Sequence, residues 1–453
     1  MSFWWKIDAA IDGHREEFID EFKQFLSQPS VAAQGIGIEE TARLVESKFQ
    51  GLGARAEIVR TGGSPVVFGQ LGNGPALLVY DHYDVQPPEP LELWESQPFE
   101  PSIRDGKIYA RGASDDKGTL MARIQATRAM QSIMSELPTT LKFVTEGEEE
   151  IGSPYLDKFV EQNRGELEGA VGCLWEGGGK DAAGRPTASL GMKGIAYFEL
   201  TAETGASDVH SSWGGIVPNA VWRLVDALAT LRSPDGRLTL DGLSAHVAPI
   251  SDADMAMLET LPFEEDQIKA NFGIATFVGG LRGKDAQHKY LMEPTCTVCG
   301  VSSGYTGTGL KTVVPAQAST KLDFRLVPRL TPQLVEDLLR AHLERRGFQD
   351  VQVQRLASLF PSKADPTNPF IRATLDLVTQ FYGQAPAVSP ISAGGGPMYQ
   401  LCETLGIPGI STGGVSHADA RIHAPNEHIF LDENVTSMKF FARLVLSVAE
   451  RAT

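Results

Sequence analysis

Apolar residues recur at helical spacing across residues 7–28, where Ile7, Ile11, Phe18, Phe22, Phe25 and Leu26 form one stripe and predict a helix. A second helix is expected over 38–52, ending at Gly51 and Gly53. Short runs of strand length follow at 56–60, 66–71 and 76–80, then a helix over 118–132 and continuous apolar runs at 141–145 and 170–175. Strands alternating with helices predict an α/β fold with a mixed, mostly parallel sheet flanked by helices. Near residue 189 the rhythm changes. A strand at 194–201, a helix over 217–230 with Pro218 near its first turn, strands at 295–301 and 320–326, and a helix over 332–345 capped by Thr331 read as a compact α+β unit. Helix, strand and helix then return. The expected organisation is an α/β domain in two parts, 1–188 and 362–453, interrupted by a smaller α+β domain at 189–361.

A chain of 453 residues exceeds one average core, which agrees with two domains. The formal net charge of −17 opposes nucleic acid or an anionic membrane as partner. No apolar run reaches the roughly 18 residues of a membrane span. Met1-Ser2-Phe3-Trp4-Trp5-Lys6 lacks the apolar core of a signal peptide, so a cytoplasmic location is expected. The four cysteines make no disulfide framework. Cys296-x-x-Cys299 falls in a strand-like run and reads as two strand cysteines, with a structural-zinc or redox role left open.

Five short segments carry the chemistry, and four closely follow strand-like runs. His82-Tyr83-Asp84 follows the run at 76–80, and Asp115-Asp116 follows 108–111. Glu148-Glu149-Glu150 follows 141–145, Glu176 follows 170–175, and His423 lies near the C-terminus. In an open parallel sheet the C-terminal strand ends are where functional groups converge. Each segment alone has a plainer reading: a surface turn, an acidic helix cap, a solvated acidic loop. Residues i and i+2 of an extended chain point the same way, so Asp84 is expected to accept the far imidazole N–H of His82 and orient that ring. Within Glu146-Gly147-Glu148-Glu149-Glu150, one glutamate is expected to hold a metal and its neighbour to act as general base. Together His82, Asp115, Glu150, Glu176 and His423 supply two histidines and three carboxylates. With Asp115 bridging, this suits a catalytic pair of zinc ions.

His82-Tyr83-Asp84-Val85-Gln86-Pro87, Arg111-Gly112-x-x-Asp115-Asp116-Lys117-Gly118, Glu146-Gly147-x-Glu149-Glu150-x-Gly152-Ser153 and His423-Ala424-Pro425-Asn426-Glu427 resemble the co-catalytic zinc amidohydrolases. That superfamily holds carnosinase-type dipeptidases, aminoacylases, glutamate carboxypeptidases and desuccinylases. The wording is most similar to the carnosinase and cytosolic dipeptidase branch. The resemblance implies two Zn²⁺ per subunit, with Mn²⁺ or Co²⁺ able to substitute. His82, Asp115 and Glu176 would hold one ion, and Asp115, Glu150 and His423 the other. Glu149 would be the general base and Asp84 the support for His82. The inserted domain would be a lid and dimerisation domain, giving a homodimer. There His210, in Asp208-Val209-His210-Ser211, would reach the partner subunit's site and polarise the scissile carbonyl. Arg325 would grip the substrate carboxylate, Asn219 would lie near it, and Gly394, Gly395 and Gly396 would form the substrate loop. The family's Gly-Gly-Ser pattern lacks its Ser here, because Pro397 follows the glycines. Backbone N–H groups of a glycine nest are expected to bind the anion instead.

The implied function is metal-dependent hydrolysis of an amide bond next to a free carboxylate, in a dipeptide or an N-acyl amino acid. The alternatives are an esterase or carbamoyl hydrolase on the same metals and, in a different class, a non-catalytic metal- or ligand-binding relative.

Overall fold

The computed structural model describes residues 4–452, so Met1, Ser2 and Phe3 of the N-terminal stretch lie outside the described residues. The chain forms two units. The first comprises Met1–Gly191, Lys363–Pro390 and Pro397–Thr453, and the second Met192–Ser362 with Ile391–Gly396.

The first unit is built on a ten-stranded mixed sheet. At its centre Thr140–Glu146, Ala76–His82, Gly172–Trp175 and Gly409–Thr412 run parallel. Arg55–Val59 and Val66–Leu71 extend one side antiparallel. The register pairs His82 with Glu146, which sets the last residue of one strand beside the start of the acidic Glu148-Glu149-Glu150 segment. Helix Lys117–Gln131 is buried almost throughout and packs against Ala76–His82 and the long helix Leu431–Ala452. Such burial accounts for its lack of a polar face. Phe49 from helix Ile38–Gly51 stacks on Phe143 at 4.9 Å and closes the core on that side.

Two expectations change here. The single helix over 7–28 is two helices, Trp4–Gly13 and Arg15–Leu26, broken at Gly13-His14, where glycine is a poor helix former. The apolar stripe survives the break: Ile7, Ile11, Phe18, Phe22, Phe25 and Leu26 are all buried. The run at 108–111 is no strand of the main sheet. Lys107–Tyr109 belongs to a separate three-stranded antiparallel sheet with Ser102–Arg104 and His428–Phe430.

The second unit is an antiparallel sheet in the order Thr295–Ser303, Gln317–Leu326, Gly191–Glu203, Gln352–Leu359. Alternate residues Ala318, Thr320, Leu322, Phe324 and Leu326 are buried in a core with helices Ala220–Ala229 and Pro332–Arg345. Phe198 meets Phe324 edge-on at 5.7 Å. The Thr331 hydroxyl accepts the Leu334 N–H at 3.1 Å, as a cap should. Pro218 lies just before its helix, near the first turn, and Asn219 is the cap. Three further helices, at Asp252–Thr260, Glu265–Phe272 and Gly283–Met292, have no counterpart in the expected pattern.

Candidate metal centre

His82 is the last residue of its strand and is buried. Its Nδ1 lies 2.9 Å from the backbone oxygen of Asp84. A carbonyl only accepts, so Nδ1 carries a proton, and Nε2 is the nitrogen turned toward the carboxylates. Nε2 lies 3.0 Å from Asp115 Oδ1 and 3.3 Å from Glu176 Oε2. His423 Nε2 lies 3.0 Å from Asp115 Oδ2 and 3.1 Å from Glu150 Oε2. The two oxygens of one carboxylate therefore face two different imidazoles, and each imidazole has a further carboxylate beside it. Ligands of one tetrahedral zinc, with bonds of about 2.0–2.1 Å, sit about 3.3 Å from one another. The distances from each imidazole to its carboxylates are of that order.

The local sequence explains the placement. Gly147 lies so close to the Tyr83 ring that an added Cβ would meet it at 2.2 Å from the hydroxyl, and this lets the acidic segment turn tightly past the His82 strand. Gly178 and Gly179 serve the backbone at Thr412 and Ser416, where a Cβ would fall 2.6 Å and 1.9 Å away. The glycines after Glu176 thus let neighbouring strands approach closely. His423 sits at φ 61°, with Arg421 at 57° and Asn426 at 62°. Histidine and asparagine are among the residues that tolerate this left-handed region. Asn426 holds the turn by accepting the Glu95 N–H at 2.9 Å and donating to the Leu93 oxygen at 3.0 Å.

Electrostatics favours cations here. Burial opposes a charged His82, but Glu176, Asp115 and Asp84 outweigh it and hold its pKa well above the ordinary value. Hydrogen bonds that its ring donates to Asp115 and Glu150 raise His423 to about 10. Burial pushes the Glu149 carboxyl well up, and Asp115, Glu150 and Asp84 add to this against His82. Burial also raises Glu176, with Glu149, Asp116 and Asp115 adding. A donor set this anionic, with Glu176 Oε2 and Glu150 Oε1 buried and unmatched by any hydrogen-bond donor, is one that divalent ions satisfy.

His82, Asp115 and Glu150 have ligand atoms within 4.8 Å of one another, and so do His82, Asp116 and Glu176. Asp116 is the weaker ligand of the two aspartates. Burial and the neighbouring Asp81 push its carboxyl well above the usual range, which disfavours its charged form. Asp115 is held well below that range, because hydrogen bonds from His423 and His82 overcome its burial.

Asp84 differs from its expected role. It meets His82 chiefly through its backbone oxygen, its carboxylate being 3.4 Å from Nδ1. The carboxylate instead accepts the N–H groups of Glu149 at 3.2 Å and Glu150 at 3.1 Å, so it supports the acidic turn as well as the imidazole. Several supporting residues carried no signal strong enough to assign from sequence. Gln86 donates to Glu150 Oε2 at 2.8 Å, and the Trp175 indole to Glu176 Oε1 at 3.1 Å. Buried Arg123 bonds the backbone oxygens of Tyr80 and Trp175 at 2.8 Å and 2.7 Å, tying the strands that end at His82 and Glu176.

The remaining expected residues lie in the second unit. His210 is exposed, and its Nδ1 accepts the Ser212 N–H at 3.1 Å, which leaves the ring proton on Nε2. Asn219 Oδ1 accepts the Val221 N–H at 2.8 Å. Arg325 Nε donates to Asp323 Oδ2 at 3.0 Å. Ser392–Gly395 is a strand parallel to Gly191–Glu203, and none of Gly394, Gly395 and Gly396 has a positive φ. Gly394 and Gly395 lie in that strand, and with no left-handed residue the three glycines do not form the expected nest.

A profile of Peptidase family M20/M25/M40 matches residues 78–447. The Beta-Ala-His dipeptidase of Rattus norvegicus is 26% identical over 477 residues, covering 98% of this chain and 95% of that one. The Cys-Gly metallodipeptidase of Schizosaccharomyces pombe is 29% identical over 364 residues, 75% of each chain. Among solved structures, an M20 family metallo-carboxypeptidase from Sulfolobus solfataricus matches at 35% identity with a TM-score of 0.90, covering 96% of this chain and 99% of that one. Human carnosine dipeptidase 1 has the same fold, with a TM-score of 0.80 at 24% identity over 99% and 100% of the two chains.

Proposed function

Because the chain belongs to Peptidase family M20/M25/M40 and is a metallopeptidase, we propose that it hydrolyses dipeptides, or N-acyl amino acids, at the amide bond next to a free carboxylate. The observation that carries this reading is Asp115, whose two carboxylate oxygens each lie 3.0 Å from a different histidine. His82, Asp115 and Glu176 would hold one ion, and Asp115, Glu150 and His423 the other. Two zinc ions, or manganese or cobalt in their place, supply Lewis acidity toward the scissile carbonyl and toward water. Glu149 takes the proton of the attacking water and returns it to the leaving amine. His210, exposed and with its proton on Nε2, donates to the carbonyl oxygen. Arg325 binds the substrate carboxylate through the guanidinium nitrogens that Asp323 leaves free, with Asn219 and Gly394, Gly395 and Gly396 beside it.

The proposed assembly is a homodimer through the inserted unit, with His210 acting across it. Thr295–Ser303 is an edge strand exposed on both faces, with Val298 50% and Val301 58% exposed, and Trp222, close in sequence to Asn219, is 67% exposed. An open, apolar edge is a surface on which a second copy pairs. The four free cysteines suit the proposed reducing, cytoplasmic setting, and among the described residues no helix is long and apolar enough to cross a membrane.

A second reading, carboxypeptidase action on longer peptides, is favoured by the 35% identity to the Sulfolobus enzyme. One experiment separates them: strip the metals with a chelator, restore Zn²⁺, Mn²⁺ or Co²⁺, and assay dipeptides, longer peptides, N-acyl amino acids, esters and amidated peptides. Dipeptides with a free carboxylate are expected to be cleaved only with metal. Equal turnover of amidated substrates would make a broader amidase or esterase the better reading, and full activity in chelator would end the metal-dependent mechanism.

A further inference from the structure

Glu427 closes the HAPNE segment, yet nothing in the proposed chemistry uses it. It is 1% exposed, and its carboxylate accepts four hydrogen bonds. Oε1 takes the N–H groups of Ser114 at 2.9 Å and Asp115 at 3.0 Å. Oε2 takes the Gly112 N–H at 3.0 Å and Arg111 Nη1 at 2.8 Å. Its own backbone oxygen accepts the Ala110 N–H at 3.1 Å. Arg111 also reaches the Pro87 oxygen, at 3.3 Å, in the segment that follows His82.

We propose that Glu427 is the positioning residue of the metal centre: its carboxylate holds the backbone of Asp115, the residue shared by both halves, in register with the turn that carries His423. The proposal rests on reading the centre as a metal pair. The physical reason is donor count. Residues 112–115 form a turn whose N–H groups have no sheet partner, so one carboxylate with two oxygens satisfies three of them and a guanidinium at once. Burial makes each bond strong and an unmatched group costly. Glu427 is the fourth residue after His423, so the same anchor bounds the left-handed turn on which His423 stands. A glutamine of equal size offers one oxygen and an NH₂ that would face N–H donors. The substitution therefore removes the clamp without removing volume.

The test is zinc titration of metal-stripped wild type and Glu427→Gln by calorimetry, with the thermal midpoint of each stripped protein and the visible absorption of each Co²⁺ form. Both zinc dissociation constants are expected to rise by about 10–100-fold, the scale of losing a partner behind a metal ligand. The Co²⁺ bands should shift as well. Should Glu427→Gln not fold, Glu427→Asp keeps the charge but falls one methylene short of the 112–115 amides, and the same weakening is expected. A lowered midpoint with wild-type zinc affinities and an unchanged Co²⁺ spectrum would overturn the proposal and leave Glu427 a purely structural group. Wild type that fails to bind two ions would instead overturn the reading of the centre itself.

Discussion

Adjacent glutamates with different surroundings carry the sharpest residue-level expectation. Glu150 has an oxygen 3.1 Å from His423, while Glu149 has its pKa driven up by burial. Glu149→Ala should keep both ions and lose roughly 10²–10⁴-fold in kcat, the usual share of a general base. Glu150→Ala should lose one ion. Metal analysis alongside steady-state rates distinguishes them, and a loss of only a few-fold for Glu149→Ala would move the base elsewhere. Arg325→Lys should lower kcat/KM by about 1.5–3 kcal/mol on free-acid substrates, because lysine cannot reproduce a planar fork. Amidated substrates should be insensitive to the change. His417 offers a pH test away from the ligands. Burial, with His428 and Lys107 adding against Asp419, pushes it down to about 4 from the ordinary 6.5. Between those values the unfolded chain binds the extra proton, so stability is full above pH 6.5 and falls as pH drops toward 4. Denaturant unfolding of metal-stripped His417→Gln should show a shallower fall across that window than wild type.

Strand ends and one buried helix organise the centre at the level of elements. The alternation of short apolar runs with helices was readable because a parallel sheet buried on both faces needs continuous apolar strands. The strand at 66–71 and the helix at 332–345 have the bounds their patterns suggest. The run at 108–111 misled, since a three-residue strand in a side sheet has the same composition as a core strand. Helix Lys117–Gln131 holds Arg123, which is buried against Asp81 at 2.8 Å and against the ends of two central strands. Removing one partner of a buried ion pair strands the other. Arg123→Met should therefore cost about 3–5 kcal/mol in denaturant unfolding. A loss below about 1 kcal/mol would mean that Asp81 is neutral in the folded chain.

For the whole molecule, the proposed dimer makes a prediction that no single subunit can satisfy. Glu149→Ala and His210→Ala proteins should each be inactive, and mixing them should restore part of the activity after subunit exchange. In a mixed dimer one site has both intact residues and the other lacks both. No recovery despite demonstrated exchange would place His210 within its own subunit or outside the reaction. Val298→Lys on the exposed edge strand should weaken self-association, measured by sedimentation, since lysine blunts an open edge.

Residue type and order alone determined the fold class and named the candidate ligands. Histidine and carboxylate are common ligands of divalent metals, and strands placed before them announce themselves by apolar runs. The tertiary structure alone decided which atoms meet: that Asp115 presents one oxygen to each histidine, and that Asp84 braces the Glu149–Glu150 backbone. It also decided that Gly394 and Gly395 lie extended in the second unit and that Glu427 anchors the 112–115 turn. The reason is distance along the chain. Glu427 lies 312 residues from Asp115, and a hydrogen bond over that separation leaves no local periodicity or composition to read.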